Sequence, residues 1–285
     1  MGRVSHAQED VISQFRMALA NRELLGNLVL RELRGKYKGT ALGWFWSLLN
    51  PLAATLIFSV VFGAILRVNP TVGADGIHNY TLFLLCALLP WNYFSGVVNA
   101  GMAAMLDNAN LIKKTAFPRQ LLVFSASVSL FVTFCIEMLV LAVAFLLFGA
   151  DPLLWVVPTL VLMVLLALFA TGLALMLSVA NVYFRDSAHF VAIGLQVLFY
   201  ATPVIYPITL VSHVSPDSLV ARLHIDSLYY ANPLVHYVEA FRDLLYDHQI
   251  PSLTTVLVVV LTAASSLWLG WTVFTRYSGR LAEEL

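Results

Sequence analysis

Four cations fall within eight residues of this chain: Arg31, Arg34, Lys36 and Lys38. A cluster of that density attracts anionic groups. Against an anionic lipid surface each basic residue adds about 1 kcal/mol. The second set of residues with chemistry is aromatic. Trp44, Phe45 and Trp46 are consecutive, Trp91, Tyr93 and Phe94 follow Pro90, and Phe199, Tyr200 and Tyr206 close a later apolar run. Aromatic faces stack on the apolar C–H faces of sugar rings, so a glycan path would be lined this way. Tryptophan and tyrosine also form belts at membrane–water interfaces. Both readings stay open for each ring.

Catalytic constellations are missing. The seven histidines (His6, His78, His189, His213, His224, His236, His248) are scattered, and neither H-E-x-x-H nor G-x-S-x-G occurs. No G-x-x-x-x-G-K-[ST] phosphate loop is present, because Gly35-Lys36 is followed by Tyr37. The chain is therefore expected not to be an enzyme and to bind no metal or cofactor. If ATP drives it, a separate chain must bind the nucleotide. No nucleic-acid partner is expected.

The elements that must position these residues are membrane helices. Hydrophobic residues make up 60% of the chain and charged residues 11%. Ordinary soluble domains carry about 25% charged residues. A bilayer core about 30 Å thick needs roughly 20 apolar residues in a helix. Six runs qualify, near 43–66, 79–103, 120–148, 153–180, 190–212 and 253–275. Five contain no Asp, Glu, Lys or Arg, and the third contains only Glu137. The spacing predicts an all-α membrane protein with six transmembrane helices.

Orientation follows from Lys and Arg in the connecting segments. With both termini in the cytoplasm, thirteen of the 16 lie on the inner side, and only Arg67, Arg222 and Arg242 lie outside. Residues 1–40 show no apolar core of about 7–15 residues with a small-residue cleavage site, so the first spanning helix is expected to direct insertion. Glu137 falls roughly 26 Å along the third helix, near the outer headgroups, at 1.5 Å per residue. That position counts against a proton-relay role. Cys86 and Cys135 lie within spans and read as small buried apolar residues.

The connections carry further signals. Residues 8–34 alternate Ile12, Phe15, Leu19, Leu24, Leu25 and Leu28 with arginines, as an amphipathic helix at the membrane surface does. The 104–119 loop exposes Leu111 and Ile112 beside Lys113 and Lys114 unless something covers them, then continues through Phe117-Pro118. Arg185 and Asp186 sit at a turn where Asp186 or Ser187 could cap the next helix. The 203–250 segment is too long for a turn and too apolar for a soluble loop. Pro203 and Pro207 stop a helix, and Asn232-Pro233 starts one. Leu234, Val238, Phe241 and Leu245 then share one face, with His236, Glu239, Arg242 and Asp243 as polar surface. Short re-entrant or interfacial helices on the outer side fit this pattern.

These pieces resemble a family. LRELRGKYKGTALGWFWSLLNP (30–51), LIKKTAFPRQLL (111–122), VYFRDSAHF (182–190), TPVIYP (202–207) and NPLVHYVEAFRDLLY (232–246) are similar to the membrane subunit of ABC-2 type exporters. The likeness is to the O-antigen and teichoic-acid polysaccharide permeases in particular, with galactan exporters as near relatives. The last segment holds the P-L-x-H-x5-R tail, here Pro233, Leu234, His236 and Arg242.

The resemblance implies a homodimer joined to two copies of a cytoplasmic ATPase, with ATP and Mg on that partner. Residues 1–40 would form the cytoplasmic interface helix and 41–285 the transmembrane domain. Leu111, Ile112, Lys113, Lys114 and Phe117 would form the coupling helix, with Arg185 and Asp186 as a second contact. The outer gate would use Pro203, Pro207, Pro233, His236 and Arg242. The substrate would be a polyprenyl-diphosphate-linked polysaccharide crossing a bacterial plasma membrane. Its diphosphate would meet Arg31, Arg34, Lys36 and Lys38, and its glycan would pass the aromatics. Competing readings are an ABC-2 exporter of drugs or peptides, a transporter or channel needing no ATPase, and a lipid-modifying enzyme.

Overall fold

The computed structural model of the chain describes residues 21–37, 43–65, 79–115, 117–209 and 229–278, with Gly39, Gly73 and Gly76. The amphipathic pattern before Asn21, Lys38, the Trp44 side chain and residues 210–228 lie outside the described residues. All regular structure among the described residues is helical. Helix α1 spans Arg22–Tyr37, and α2 spans Trp46–Phe58 and continues as a π-helical stretch, Ser59–Ile65. Then come α3 (Tyr80–Asp107), α4 (Ala109–Lys114), α5 (Gln120–Leu147), α6 (Val156–Tyr183), α7 (Ser187–Ala201), α8 (Pro233–Leu245) and α9 (Leu253–Ser278).

The chain turns between α1 and α2 at Gly39 and Gly43, whose φ angles are 79° and 51°. That left-handed backbone costs glycine little, since no Cβ meets the carbonyl. Helix α1 runs through Gly35 and lays Leu28 into the core, with Leu24 and Leu25 partly buried beside it. It packs against α5, where Lys36 is the cation that acts on Glu137. The sequence puts Lys36 at the inner surface and Glu137 near the outer headgroups; the packing of α1 along α5 brings this one pair within electrostatic reach, so the two expected depths do not both hold.

Helix α3 is the centre of the bundle. It packs on α5, α6 and α8, and every residue from Leu82 to Pro90 is buried. The Asn79 side chain starts it by accepting the Thr81 N–H at 2.9 Å. Helices α6 and α9 approach closely because small residues meet at their crossing. A Cβ added to Gly172 would lie 2.3 Å from the Ser266 backbone, and one on Gly270 would lie 2.1 Å from the Gly172 carbonyl. Ser266 Oγ donates across the same crossing to the Phe169 carbonyl at 2.8 Å. Small residues let spanning helices approach where lipid gives no hydrophobic force between them. Two buried hydroxyls pair across α5 and α6: Ser127 and Thr171 are 2.6 Å apart, and Thr171 Oγ1 also donates to the Ala167 carbonyl at 2.6 Å.

Among the described residues, four helices are long and apolar enough to cross a membrane: Tyr80–Asp107, Gln120–Leu147, Leu153–Tyr183 and Leu253–Ser278. The other two expected spans are shorter apolar helices, Pro51–Ile65 and Ser187–Ala201. The run at 190–212 stops at Ala201 because Pro203 drives the preceding Thr202 into extended backbone, at φ −111° and ψ 140°. Helices α2 and α7 are also poorly covered. On α7 only Leu195 is buried, while Phe190, Ile193, Val197 and Tyr200 are exposed.

Candidate functional site at the α8 end of the bundle

The turn after α7 is built from Thr202-Pro203-Val204-Ile205-Tyr206-Pro207. Two prolines leave it short of backbone donors, and its carbonyls need partners from elsewhere. Helix α8 supplies them. Arg242 Nη2 donates to the Val204 carbonyl at 2.9 Å, and Nη1 to the Tyr206 carbonyl at 3.4 Å. Nη1 also donates to Glu239 Oε1 at 3.1 Å. The Ile205 carbonyl accepts the Tyr80 hydroxyl from the start of α3 at 2.6 Å. The guanidinium lies over the Phe83 ring, 3.8 Å from its centroid, a desolvated cation–π contact.

Arg242 is only 2% exposed. Its assignment to polar surface is therefore corrected: helical spacing marks the face but cannot show that the facing turn offers carbonyls. Burial pushes the guanidinium pKa down, and the Glu239 carboxylate opposes that shift. Arginine is the cation that can stay charged under such desolvation. One face of Arg242 is left over, since Nε has no hydrogen-bond partner among the described residues.

Asn232 begins α8 as its position predicts. Its Oδ1 accepts the Leu234 N–H at 3.1 Å, and Pro233 follows at the first turn. Its Nδ2 donates to Thr202 Oγ1 at 3.0 Å, a second tie to the same turn. Leu234, Val238, Phe241 and Leu245 are all buried, as are Val235, Tyr237, Ala240 and Leu244. The helix is thus a core element against α3, α6 and α9 rather than one lying half in solvent. His236 Nε2 donates to the Tyr230 carbonyl at 3.1 Å. While His236 bonds apart, to Tyr230, Arg242 and Asn232 tie the Pro203–Pro207 turn and the Pro233 start of α8 into one assembly. The sequence reading missed Tyr80, Phe83, Thr202 and Glu239 as its members. Only the i, i+3 spacing of Glu239 and Arg242 carried a signal for any of them.

The predicted aromatics separate into two groups. Trp91, Tyr93 and Phe94 are buried between helices. Tyr93 stacks on Phe134 at 4.7 Å, Phe94 on Phe169 at 5.6 Å, and Trp91 meets Phe199 at 5.4 Å. Trp46 on α2 and Tyr200 on α7 are 41% and 59% exposed, on two poorly covered helices. Tyr206 donates its hydroxyl to the Tyr200 carbonyl at 2.9 Å.

At the opposite end of the bundle, Ile112 on α4 is buried and Leu111 and Phe117 are half-buried, so the chain itself covers most of this apolar surface. Lys113, Lys114, Arg185 and Asp186 are exposed. Asp186 occupies the cap position of α7, but its side chain accepts no N–H there, and Ser187 Oγ donates instead to the Ala180 carbonyl at 3.4 Å. The capping expectation is thus not met. Arg31 and Arg34 are exposed, and Arg31 donates to Asn108 at the start of α4 at 2.7 Å. Arg119 holds the Ser278 carbonyl at the end of α9.

Known proteins share this sequence plan. The chain is 34% identical to the O-antigen export system permease protein RfbA of Myxococcus xanthus, over 87% of its own length and 92% of the relative. It is 28% identical to the RfbA of Klebsiella pneumoniae, over 92% and 95% of the two chains. It is also 28% identical to the polysialic acid transport protein KpsM of Escherichia coli, over 76% and 78%. Residues 23–246 match the family described as ABC-2 type transporter, from α1 through the turn knotted by Arg242 to the end of α8. The chain is a multi-helix membrane protein of the ABC-2 type transporter family.

Proposed function

We propose that this chain is the permease subunit of a polysaccharide exporter powered by a separate ATPase. The observation that carries this reading is near full-length similarity to relatives named as O-antigen export permeases. The substrate enters from the cytoplasm on a polyprenyl diphosphate and leaves outward across the bacterial plasma membrane. Both termini face the cytoplasm, as the Lys and Arg distribution supports. The α4 end then faces the ATPase, and the α8 end is the outer gate.

Two copies of the chain form the path. Helices α2 and α7 expose Trp46, Leu52, Leu56, Phe190, Val197 and Tyr200. In a dimer these faces meet across the axis, and the two short apolar helices complete six crossings per chain. Lys113 and Lys114 dock on the nucleotide-binding partner, which holds ATP and Mg. On this reading the exposed Arg31 and Arg34 gather the anionic headgroup at the α4 end, with Lys36 and Lys38 from the same basic collar.

The test is complementation of a strain lacking this permease. The wild-type chain restores surface polysaccharide and co-purifies with an ATP-hydrolysing subunit. Replacing Lys113 and Lys114 together with Glu leaves membrane levels intact but abolishes export. Wild-type chain that restored no polysaccharide, or purified as active without an ATPase, would sink the reading.

A further inference from the structure

A second feature lies along α8 beside the Arg242 knot, with Glu239 shared between the two. A cavity of about 340 Å³ opens between α8 and the start of α9. His236, Glu239 and Asp243 reach it from one face of α8, at i, i+3 and i+7. Ser252 and Thr254 supply hydroxyls from the α9 side, and the exposed Tyr230 ring forms part of the wall. The volume is at the small end of ligand sites, about 300–1,000 Å³.

The chemistry of the lining is selective. Adjacent sugar hydroxyls donate in pairs to a carboxylate, aliphatic hydroxyls both donate and accept, and a tyrosine face packs on ring C–H groups. Glu239 keeps one oxygen on Arg242. The Asp243 carboxylate has no hydrogen-bond or ion-pair partner among the described residues. Burial, with the charges of Glu239 and Asp247, raises its pKa to about 6. The cavity is therefore rich in acceptors and repels anions. A metal ion is the other ligand such residues could take, but no three His, Cys, Asp or Glu side chains among the described residues converge on one.

We infer that this cavity is a subsite for one neutral or amino sugar ring of the exported chain, and that it excludes acidic sugars. This rests on the exporter reading above and names its substrate class. Tyr230 and Thr254 frame the ring, and Asp243 and Glu239 accept its hydroxyls.

The test uses the full chain with its ATPase partner in lipid nanodiscs. Saturation-transfer NMR is recorded with maltotriose, galactotriose and trigalacturonic acid, and with Ca²⁺ titrated separately. A neutral trisaccharide should receive saturation and trigalacturonate none. Thr254→Trp, which fills the cavity from an exposed position, should abolish the transfer. Asp243→Asn should weaken binding about tenfold, the scale of one lost charge-assisted hydrogen bond. The proposal is overturned if the acidic sugar binds as well as the neutral ones. Absence of transfer to either neutral sugar, insensitivity of the signal to Thr254→Trp, or displacement of the sugar by Ca²⁺ would overturn it equally. Export by the same variants in cells separates the two readings. Wild-type export with normal Thr254→Trp export defeats the subsite alone, whereas no wild-type export defeats the exporter.

Discussion

Arg242 shows how a charged side chain becomes a structural member. Its guanidinium ties two carbonyls of a proline-bounded turn to α8 while resting on Phe83. Removing it strands those carbonyls and opens a cavity. Arg242→Ala should destabilise the protein by about 3 kcal/mol or more, read as a lower unfolding temperature in detergent. Arg242→Lys should recover little, because an ammonium cannot span two carbonyls and stack at once. Asp243 behaves in the opposite sense. Its folded-state pKa of about 6 lies above the ordinary 3.8. Stability linked to it is therefore fully present below about pH 3.8 and lost as pH rises through about 6. Asp243→Asn should stabilise the protein at pH 7.5 by about 1 kcal/mol once solvent screening of the half-buried group is allowed for, read as a higher unfolding temperature. That gain should shrink through pH 6 and vanish near pH 4, which thermal scans across pH would measure.

At the scale of elements, the α6–α9 crossing and the face of α7 make a matched pair. Gly172 has no room for a methyl group, since the Ser266 backbone would lie 2.3 Å from it. A methyl group placed on Gly194 of α7 would meet nothing within 4 Å. Gly172→Ala should cost about 3 kcal/mol by forcing two helices apart. Gly194→Ala should be neutral or stabilise by about 0.5–1 kcal/mol through helix propensity. Equal unfolding temperatures for the two variants would contradict the packing described. The hydropathy of both helices is plain in the sequence, and their existence was legible there. Which glycine sits in a crossing was not, because a glycine in a helix reads the same whether its neighbour is a backbone or open space.

For the whole molecule, the question is which aromatics meet substrate. Trp46 and Tyr200 are on two poorly covered helices, whereas Trp91, Tyr93 and Phe94 hold α3 against its neighbours. Trp46→Ala and Tyr200→Ala should reduce export while abundance in the membrane stays normal. Trp91→Ala should instead lower stability by about 3–5 kcal/mol and reduce the folded protein recovered. Normal export in the first two variants would leave those rings as interface anchors. The sequence treated all of these residues alike, since an aromatic beside a proline or a helix end looks the same in a core, a belt or a path.

What the residues determined by themselves was the class of molecule and its punctuation. Length and absence of charge compel membrane helices, because lipid offers backbone groups no partners outside a helix. Asn232-Pro233 starts α8, and Thr202-Pro203 stops α7, through local sterics and one side-chain bond. Whatever depends on a partner distant in sequence was decided by the tertiary structure alone. Arg242 is buried because carbonyls nearly forty residues away require it, at Val204. Ile112 is covered because it joins the packed core, and α1 lies along α5 so that Lys36 acts on Glu137. Periodicity assigns a residue to a face; only the packed structure says what that face meets.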